Sequence, residues 1–440
     1  MRNLLTTLIL LLSQTIVAQE KVWTLEDCMQ YAVKYNPQCV RQEAQNKIYR
    51  ADQVEAVGGF LPSLSASTNI YSRFGRGIDP ETNTYISTST FGNGYEIYSS
   101  MTLFDGLAQI YQAKKAKINR LMGKEQLQET KDKIALETME LFFNVLYYKG
   151  TVGLAQQQLD ESIENLKRIE RMKELGLKSA PDVTEIRAKE AEDRYLLTRQ
   201  INMLNLEIIK LKEKMYLPID EDLTVADVEN QALDGASGEN AAEIFQTAKE
   251  SLPKLLSSEK SMSAREMEYK VARSLLFPTL SLGAGFSTGF SRLMDGSTYT
   301  SFKEQLKNRQ GSYVQVSLSI PLFSRFSNTS EIKRSKQRLI IAKSQHEETL
   351  RQVYGEIEQA VADVKGLSDE YQSVRKKTEA MLAAHKTNLR KYDEGLIDAF
   401  ELATSANRLL NSRIEELHTS LNFQLKRKLL NYYEGDALIK

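Results

Sequence analysis

The residue types that most often carry chemistry are few in this chain and badly spaced for it. Its three histidines, His346, His385 and His418, lie in helix-compatible stretches, and none has a second His or a Cys four positions on. Cys28 and Cys39 have no His or Cys neighbour at metal-ligand spacing, and two cysteines cannot staple a fold. They read as buried free thiols, with a Cys28–Cys39 bond as the alternative in an oxidising compartment. No glycine-rich phosphate loop follows a strand, and no G-x-S-x-G elbow occurs. The abundant carboxylates fall on helix faces rather than in a catalytic pair. The pattern points away from an enzyme, a metal site or a bound cofactor. Two carboxylates nevertheless stand in segments of one design, Asp182 in RMKELGLKSAPD (171–182) and Glu401 in RKYDEGLIDAFE (390–401). In each, a glycine (Gly176, Gly395) can end one helix in the left-handed conformation. The acid then falls in the first turn of the next helix, where it meets the positive end of the dipole.

The resemblance between these segments extends along the chain. Asn36-Pro37 is answered by Leu252-Pro253 and Pro62 by Pro278, both about 216 residues on. Leu103-Phe104 is answered by Leu322-Phe323, and Gly176-Leu177 by Gly395-Leu396, at about 219. The chain therefore reads as two copies of one unit, residues 19–216 and 240–434, joined by a loop-like link, 217–239, and followed by a tail, 435–440. Each copy predicts the same elements. Thr24 caps a short helix, with Asp27 three residues on at the capping-box position. Pro37 breaks it and opens a second helix to Gly58. A β-hairpin follows (63–105, and 279–323 in the second copy). In the first copy its strands are 63–73 and 95–105, around a solvent loop, 74–93. A stretch without proline then runs to Leu175. In it Leu159, Ile163, Leu166, Ile169 and Met172 recur at threes and fours, the narrow seam of a coiled coil. A turn (176–181, and 395–398) leads to Asp182, which reopens a helix back to Leu217-Pro218. A helix of about 70 residues is roughly 100 Å long. Two shorter helices end to end match it, which predicts a rod with strands at one end and tight turns at the other.

The strands say what the rod is for. Val314, Val316, Leu318 and Ile320 alternate with Tyr313, Gln315, Ser317 and Ser319. Upstream, Leu280, Leu282, Ala284, Phe286 and Phe290 alternate with Ser281, Gly283, Gly285, Ser287 and Gly289. This period of two gives each strand one greasy and one small, polar face, and about ten residues cross a bilayer at a tilt. Four strands cannot close a barrel, for which about eight is the minimum. An open edge in hydrocarbon would leave its N–H and C=O groups unpaired. Three chains pooling their strands would make a twelve-stranded pore. The expected fold class is thus an α+β membrane protein, long antiparallel coiled-coil helices plus four strands per chain in a trimeric transmembrane β-barrel. The first residues read as a secretory signal peptide, 1–18, with cleavage after Ala18. Lys and Arg number 58, as do Asp and Glu, so net charge gives no reason to expect nucleic acid as partner.

Over nearly its whole mature length the chain resembles the TolC-like outer membrane efflux protein family. The residues that carry this are Thr24-Leu25-Glu26-Asp27 with Ala32, Asn36 and Pro37, then Leu61-Pro62-Ser63-Leu64 and Leu103-Phe104-Asp105-Gly106 with its echo Pro321-Leu322-Phe323, and the two Gly-Leu turns. The resemblance implies a homotrimeric channel in the outer membrane of a Gram-negative bacterium, its β-barrel continued by a long coiled-coil α-helical barrel as a periplasmic extension. It implies a passive exit duct for efflux or type I secretion, with a periplasmic adaptor and an inner-membrane pump of RND, ABC or MFS type as partners. Non-transport alternatives are a surface coiled-coil scaffold or adhesin, and a freestanding diffusion porin is a third reading. By position, the resemblance makes Gly176, Leu177, Gly395 and Leu396 the adaptor-contacting turns. It makes Asp182 and Tyr392 a hydrogen-bonded pair that ties the periplasmic gate shut, and Glu401 an acidic ring at the constriction. Ile397 and Thr404 stand where a basic gate residue and a second acidic ring are expected, so Arg171, Lys173 and Asp398 are alternative holders of the gate.

Overall fold

The computed structural model of the chain describes residues 21–78, 82–87, 89–218, 220–228, 240–294 and 300–439. The segment read as a signal peptide lies outside them, as do residues 229–239 of the link and the last residue of the tail. The elements are β1 (Val22–Trp23), α1 (Leu25–Tyr35), α2 (Pro37–Gly58), β2 (Ser63–Arg73), β3 (Arg76–Ile78), β4 (Tyr85–Ser87), β5 (Thr90–Phe104), α3 (Ala108–Glu174), α4 (Ala180–Met215), β6 (Thr224–Val225), α5 (Ala241–Ser251), α6 (Pro253–Ser274), β7 (Thr279–Leu293), α7 (Phe302–Asn308), β8 (Gly311–Ser319), α8 (Ser327–Asp393) and α9 (Ala399–Glu434).

All the helices but α7 come in pairs of equal length. α1 and α5 have 11 residues each, α2 and α6 22, α3 and α8 67, and α4 and α9 36. Pro37 and Pro253 open α2 and α6, where a missing N–H costs nothing. Thr24 and Asp27 form the reciprocal capping box of α1.

Five features depart from the sequence reading. The segment 74–93 is not simply a solvent loop: it holds the ribbon β3–β4, paired Arg76 to Ser87, and β5 starts at Thr90. Its glycines suggested a loop, yet Gly92 and Gly94 lie beneath the side chains of Tyr71 and Asn69 on β2. β8 ends at Ser319, so Ile320 to Phe323 leave the strand. The short helix α7 was not anticipated. The link carries β6, which pairs in parallel with β1, and strands of two residues have no period to read. Asp182 does not open α4, which starts at Ala180.

The chain forms two compact units that cut across the repeat. The first comprises the described residues of Met1–Ala44, Glu125–Leu256 and Thr349–Lys440, the second Gln45–Lys124 and Ser257–Glu348. Two of the first unit's cores have matching plans. One gathers Trp23, Met29, Phe142, Val145, Leu211 and Met215, the other Ile244, Val353, Ile357, Val364 and Leu430. Val145 and Val364 occupy equivalent positions, as do Leu211 and Leu430. The polar pairs also repeat: Lys214 bonds Glu137, and the equivalent Tyr433 donates to Glu356 at 3.3 Å. Cys28 and Cys39 are buried and unbonded to each other. Burial pushes the Cys28 thiol up to about 12, which leaves it protonated and inert.

Besides the β3–β4 ribbon, the second unit holds a four-stranded antiparallel sheet in the order β2-β5-β7-β8. Each copy contributes a hairpin, and β5 pairs with β7 across them. Between β5 and α3 the backbone turns through two left-handed residues, Gly106 (φ +68°) and Leu107 (φ +72°). The second copy makes the same turn with Arg325 (φ +50°) and Phe326 (φ +64°). Since arginine adopts this conformation, φ alone does not demand glycine at 106. Close approach does: a Cβ there would lie 2.7 Å from Phe277 Cβ and 2.9 Å from the Ser274 carbonyl oxygen. Ser274 Oγ also donates to the Gly106 carbonyl at 2.8 Å. Gly106→Ala is therefore expected to destabilise by about 1–3 kcal/mol, the range for overpacking. Thermal unfolding in detergent checks this, with Arg325→Ala as the near-neutral control.

Candidate functional site

Two regions carry the residues singled out by sequence: the sheet of the second unit and the helical turns of the first. In the sheet, side-chain alternation sorts the residues by face. The rows Leu64–Ser99–Ala284–Val314 and Ala66–Ile97–Phe286–Ser312 run across all four strands on one side. Their large apolar members are open to the surroundings, Leu64 at 76% and Val314 at 75%. The opposite face carries Ser63, Ser100, Gly283 and Gln315, then Ser65, Tyr98, Gly285 and Tyr313. Here tyrosines lie over glycines. A Cβ at Gly283 would sit 2.8 Å from Tyr98 Oη, and one at Gly285 2.5 Å from the Tyr313 ring. Tyr313 also donates to Glu96 at 3.2 Å.

The sheet's edges are treated differently. β8 pairs with β7 only as far as Ser287. Beyond that, α7 covers the strand: the Ser291 N–H donates to Gln305 Oε1 at 3.0 Å, and Thr288 Oγ1 to the Leu306 carbonyl at 2.6 Å. β2 and β8 have no strand on their outer sides among the described residues, and every residue of both is exposed. Long, flat, uncovered apolar edges are unstable in water and call for another strand.

The turns have the geometry their glycines promised. Gly176 (φ +76°) donates to the Lys173 carbonyl at 2.9 Å, and Leu177 to Met172 at 2.8 Å. Gly395 (φ +73°) donates to Tyr392 at 3.0 Å, and Leu396 to Lys391 at 2.8 Å. These are paired Schellman closures. They leave Leu177 and Leu396 each 68% exposed, beside the exposed Leu175 and Phe400. Behind them Ile169, Val183, Ile186, Tyr392, Ala399 and Leu402 form a small core, with Ile397 packed against it. The isoleucine thus serves packing where the resemblance placed a basic gate residue.

Asp182 and Tyr392 come close enough to interact, but no hydrogen bond joins them. The Asp182 carboxylate is held in its own capping box, accepting from Ser179 N at 3.0 Å and Ser179 Oγ at 2.7 Å. The S-x-x-D spacing at 179–182 was a legible signal for this. The Tyr392 hydroxyl is buried and has no hydrogen-bond partner among the described residues. Burial, with the charges of Asp182 and Asp393 nearby, pushes it up to about 12, and Lys178 Nζ stands 4.4 Å from the ring centroid. Asp398 caps α9, accepting from Glu401 N at 2.8 Å. That leaves the Glu401 side chain exposed, with no bond among the described residues. Arg171 and Lys173 are exposed. The ion pair that joins the two hairpins here is instead Arg168 with Asp393 at 3.1 Å.

The hydrogen bonds from Ser179 hold the Asp182 carboxyl below the usual aspartate range. A lowered folded value means the contribution is present above the ordinary value and lost as pH falls through the folded one. The start of α4 is thus expected to fray below about pH 4 and to be unaffected between about pH 5 and 8. Hydrogen exchange over 177–186 checks this, and Ser179→Ala, which keeps the backbone N–H but loses the hydroxyl, should weaken the pH dependence.

Further back lies a buried polar network that sequence reading missed, because its members are ordinary helix residues. Lys189 and Asp193 on α4 pair at 2.6 Å, with side chains 9% and 1% exposed. Asp193 also accepts from Ser162 Oγ and, at 3.4 Å, from Gln158 Nε2, both on α3. Lys189 donates to Asn407 Oδ1 on α9 at 2.6 Å. His385 on α8 bonds Ser405 at 2.9 Å. Among the described residues no group of His, Cys, Asp and Glu is arranged to hold a metal, and no helix is long and apolar enough to cross a membrane.

Comparison with known proteins bears on what these regions are. Residues 244–430 match the family model described as outer membrane efflux protein. The outer membrane protein TolC of Escherichia coli is 24% identical over 322 residues, which is 69% of this chain and 63% of TolC. Among solved structures, CusC superposes with a TM-score of 0.80 at 14% identity, covering 94% of this chain and 92% of CusC. The Campylobacter jejuni CmeC outer membrane channel gives 0.78 at 14% identity, covering 93% and 85%. The second copy of the chain is thus similar to the outer membrane efflux protein family, and the fold over nearly the whole length is that of solved outer membrane channels.

Proposed function

We propose that three copies of this chain pool their strands into a twelve-stranded barrel in the outer membrane of a Gram-negative bacterium, and their helices into a conduit closed at the Gly-Leu turns. The reading makes the protein a passive exit duct for efflux or secretion. A periplasmic adaptor engages Gly176, Leu177, Gly395 and Leu396, and an inner-membrane transporter supplies the energy. One observation carries it. The sheet has an exposed apolar face, a small polar face and two edges open along β2 and β8, so it is satisfied only by closure into a barrel in lipid. The exposed leucines at the turns support the docking role.

In this reading three Glu401 carboxylates face one another around the axis. Like charges brought together repel and attract counter-ions, which favours cations in the pore. Purified trimers in planar bilayers test the proposal. The wild type should form cation-selective pores, and Glu401→Gln should lower that selectivity several-fold while leaving assembly intact. Non-selective wild-type pores, or selectivity unmoved in Glu401→Gln, would remove the acidic ring from the account.

A further inference from the structure

The Lys189–Asp193 pair is satisfied almost wholly within one hairpin. Asp193 takes Lys189 from its own helix and Ser162 and Gln158 from α3. Lys189 is also 3.6 Å from Glu192 on its own helix. A single bond leaves for the other hairpin, from Lys189 Nζ to Asn407 Oδ1. In the second copy the buried acid is missing: Ser412 stands at the position of Asp193, and Arg408, at that of Lys189, is exposed. There Thr378 and Ser412 share a hydroxyl bond at 2.9 Å, inside the α8–α9 hairpin. Polar groups of Glu161, Asn165 and His385 line a small cavity beside Lys189.

We propose that the Lys189–Asn407 bond is the releasable latch holding the two helical hairpins of one subunit together behind the turns, with Lys189 as the residue that positions the gate. The inference rests on the duct reading. The Asp182–Tyr392 pair is poorly placed for this role, since the acid is engaged by Ser179 and the phenol has no hydrogen-bond partner among the described residues. The Lys189 bond has the properties a latch needs. Breaking a buried pair by removing one partner is severe, because a lone charge is left behind. When α9 moves away here, Lys189 keeps Asp193, and only a neutral amide departs. A polar cavity can admit water to replace that amide. The bond is therefore strong when made and can be broken without stranding a charge.

The test uses full-length protein in planar bilayers, read as mean conductance per trimer, with trimer melting measured alongside. Asn407→Ala should raise leak by at least about tenfold, the effect of losing a hydrogen bond from a charged donor. Lys189→Met with Asp193→Leu replaces the buried ions by apolar groups and should give the same leak. Adding Asn407→Ala to it should give no further rise, since one latch cannot be removed twice. A merely structural role would instead lower trimer melting and give additive leak. Either additive leak, or Asn407→Ala as tight as a wild type that conducts poorly, overturns the latch and leaves the duct standing. A wild type that forms no pore overturns both.

Discussion

Ile97→Arg should abolish recovery of the folded protein from membranes, whereas Ser65→Arg should leave it nearly unchanged. The two positions lie in adjacent rows of the sheet on opposite faces. Ile97 pairs with Ala66 and Phe286 on the apolar side, and Ser65 pairs with Tyr98 on the polar side. An arginine on the lipid face of a barrel costs about 2–4 kcal/mol at mid-membrane. Threefold assembly would apply that cost three times in one barrel. On the polar face of the proposed barrel the same side chain would meet a wet lumen and lose little beyond the hydrogen bond from Ser65 Oγ to the Tyr98 carbonyl. The measurement is the yield of heat-modifiable trimer in outer-membrane fractions. Equal yields would mean that the faces are assigned the wrong way round or that the sheet is not in lipid.

Phe142→Ala should destabilise the first unit by about 3–5 kcal/mol. The ring is fully buried in the core that joins Trp23, Met29, Leu211 and Met215, and it meets Phe143 edge-on. α3 and α4 are charged helices with narrow apolar seams, so much of their cohesion is concentrated at such clusters. The effect should be far greater than that of a truncation at an exposed apolar position of α4, such as Ile209. Thermal unfolding followed by far-ultraviolet circular dichroism compares the two. A Phe142→Ala variant that melts with the wild type would show that this core does not hold the hairpin.

The strong periods in the sequence were the ones that survived. Leu280 to Phe290 and Val314 to Leu318 alternate because one face is apolar, and both form strands as read. Pro37, Gly176 and Gly395 punctuate helices at the places their backbones require. The start of β5 was misread because Gly92 and Gly94 look like loop residues until Tyr71 and Asn69 are seen lying over them, a cross-strand fact with no local signature. β1 and β6 are too short for any pattern. At the turns, the local motif was readable and its consequence was not drawn: S-x-x-D at 179–182 spends the Asp182 carboxylate on its own helix. The i,i+4 spacing of Lys189 and Asp193 permits their pair, but not the contacts to Ser162 and Asn407. Those contacts depend on how α3, α4 and α9 cross, which sequence neighbours do not encode.

The central claim is that a four-stranded sheet per chain, open at β2 and β8, is completed by other copies. The mass of the detergent-purified mature protein, by light scattering with the detergent contribution removed, tests this most directly. A trimer, with its twelve strands, is the expected result. A stable monomer that needs no detergent would leave β2 and β8 unpaired in water, and would contradict both the barrel and the duct.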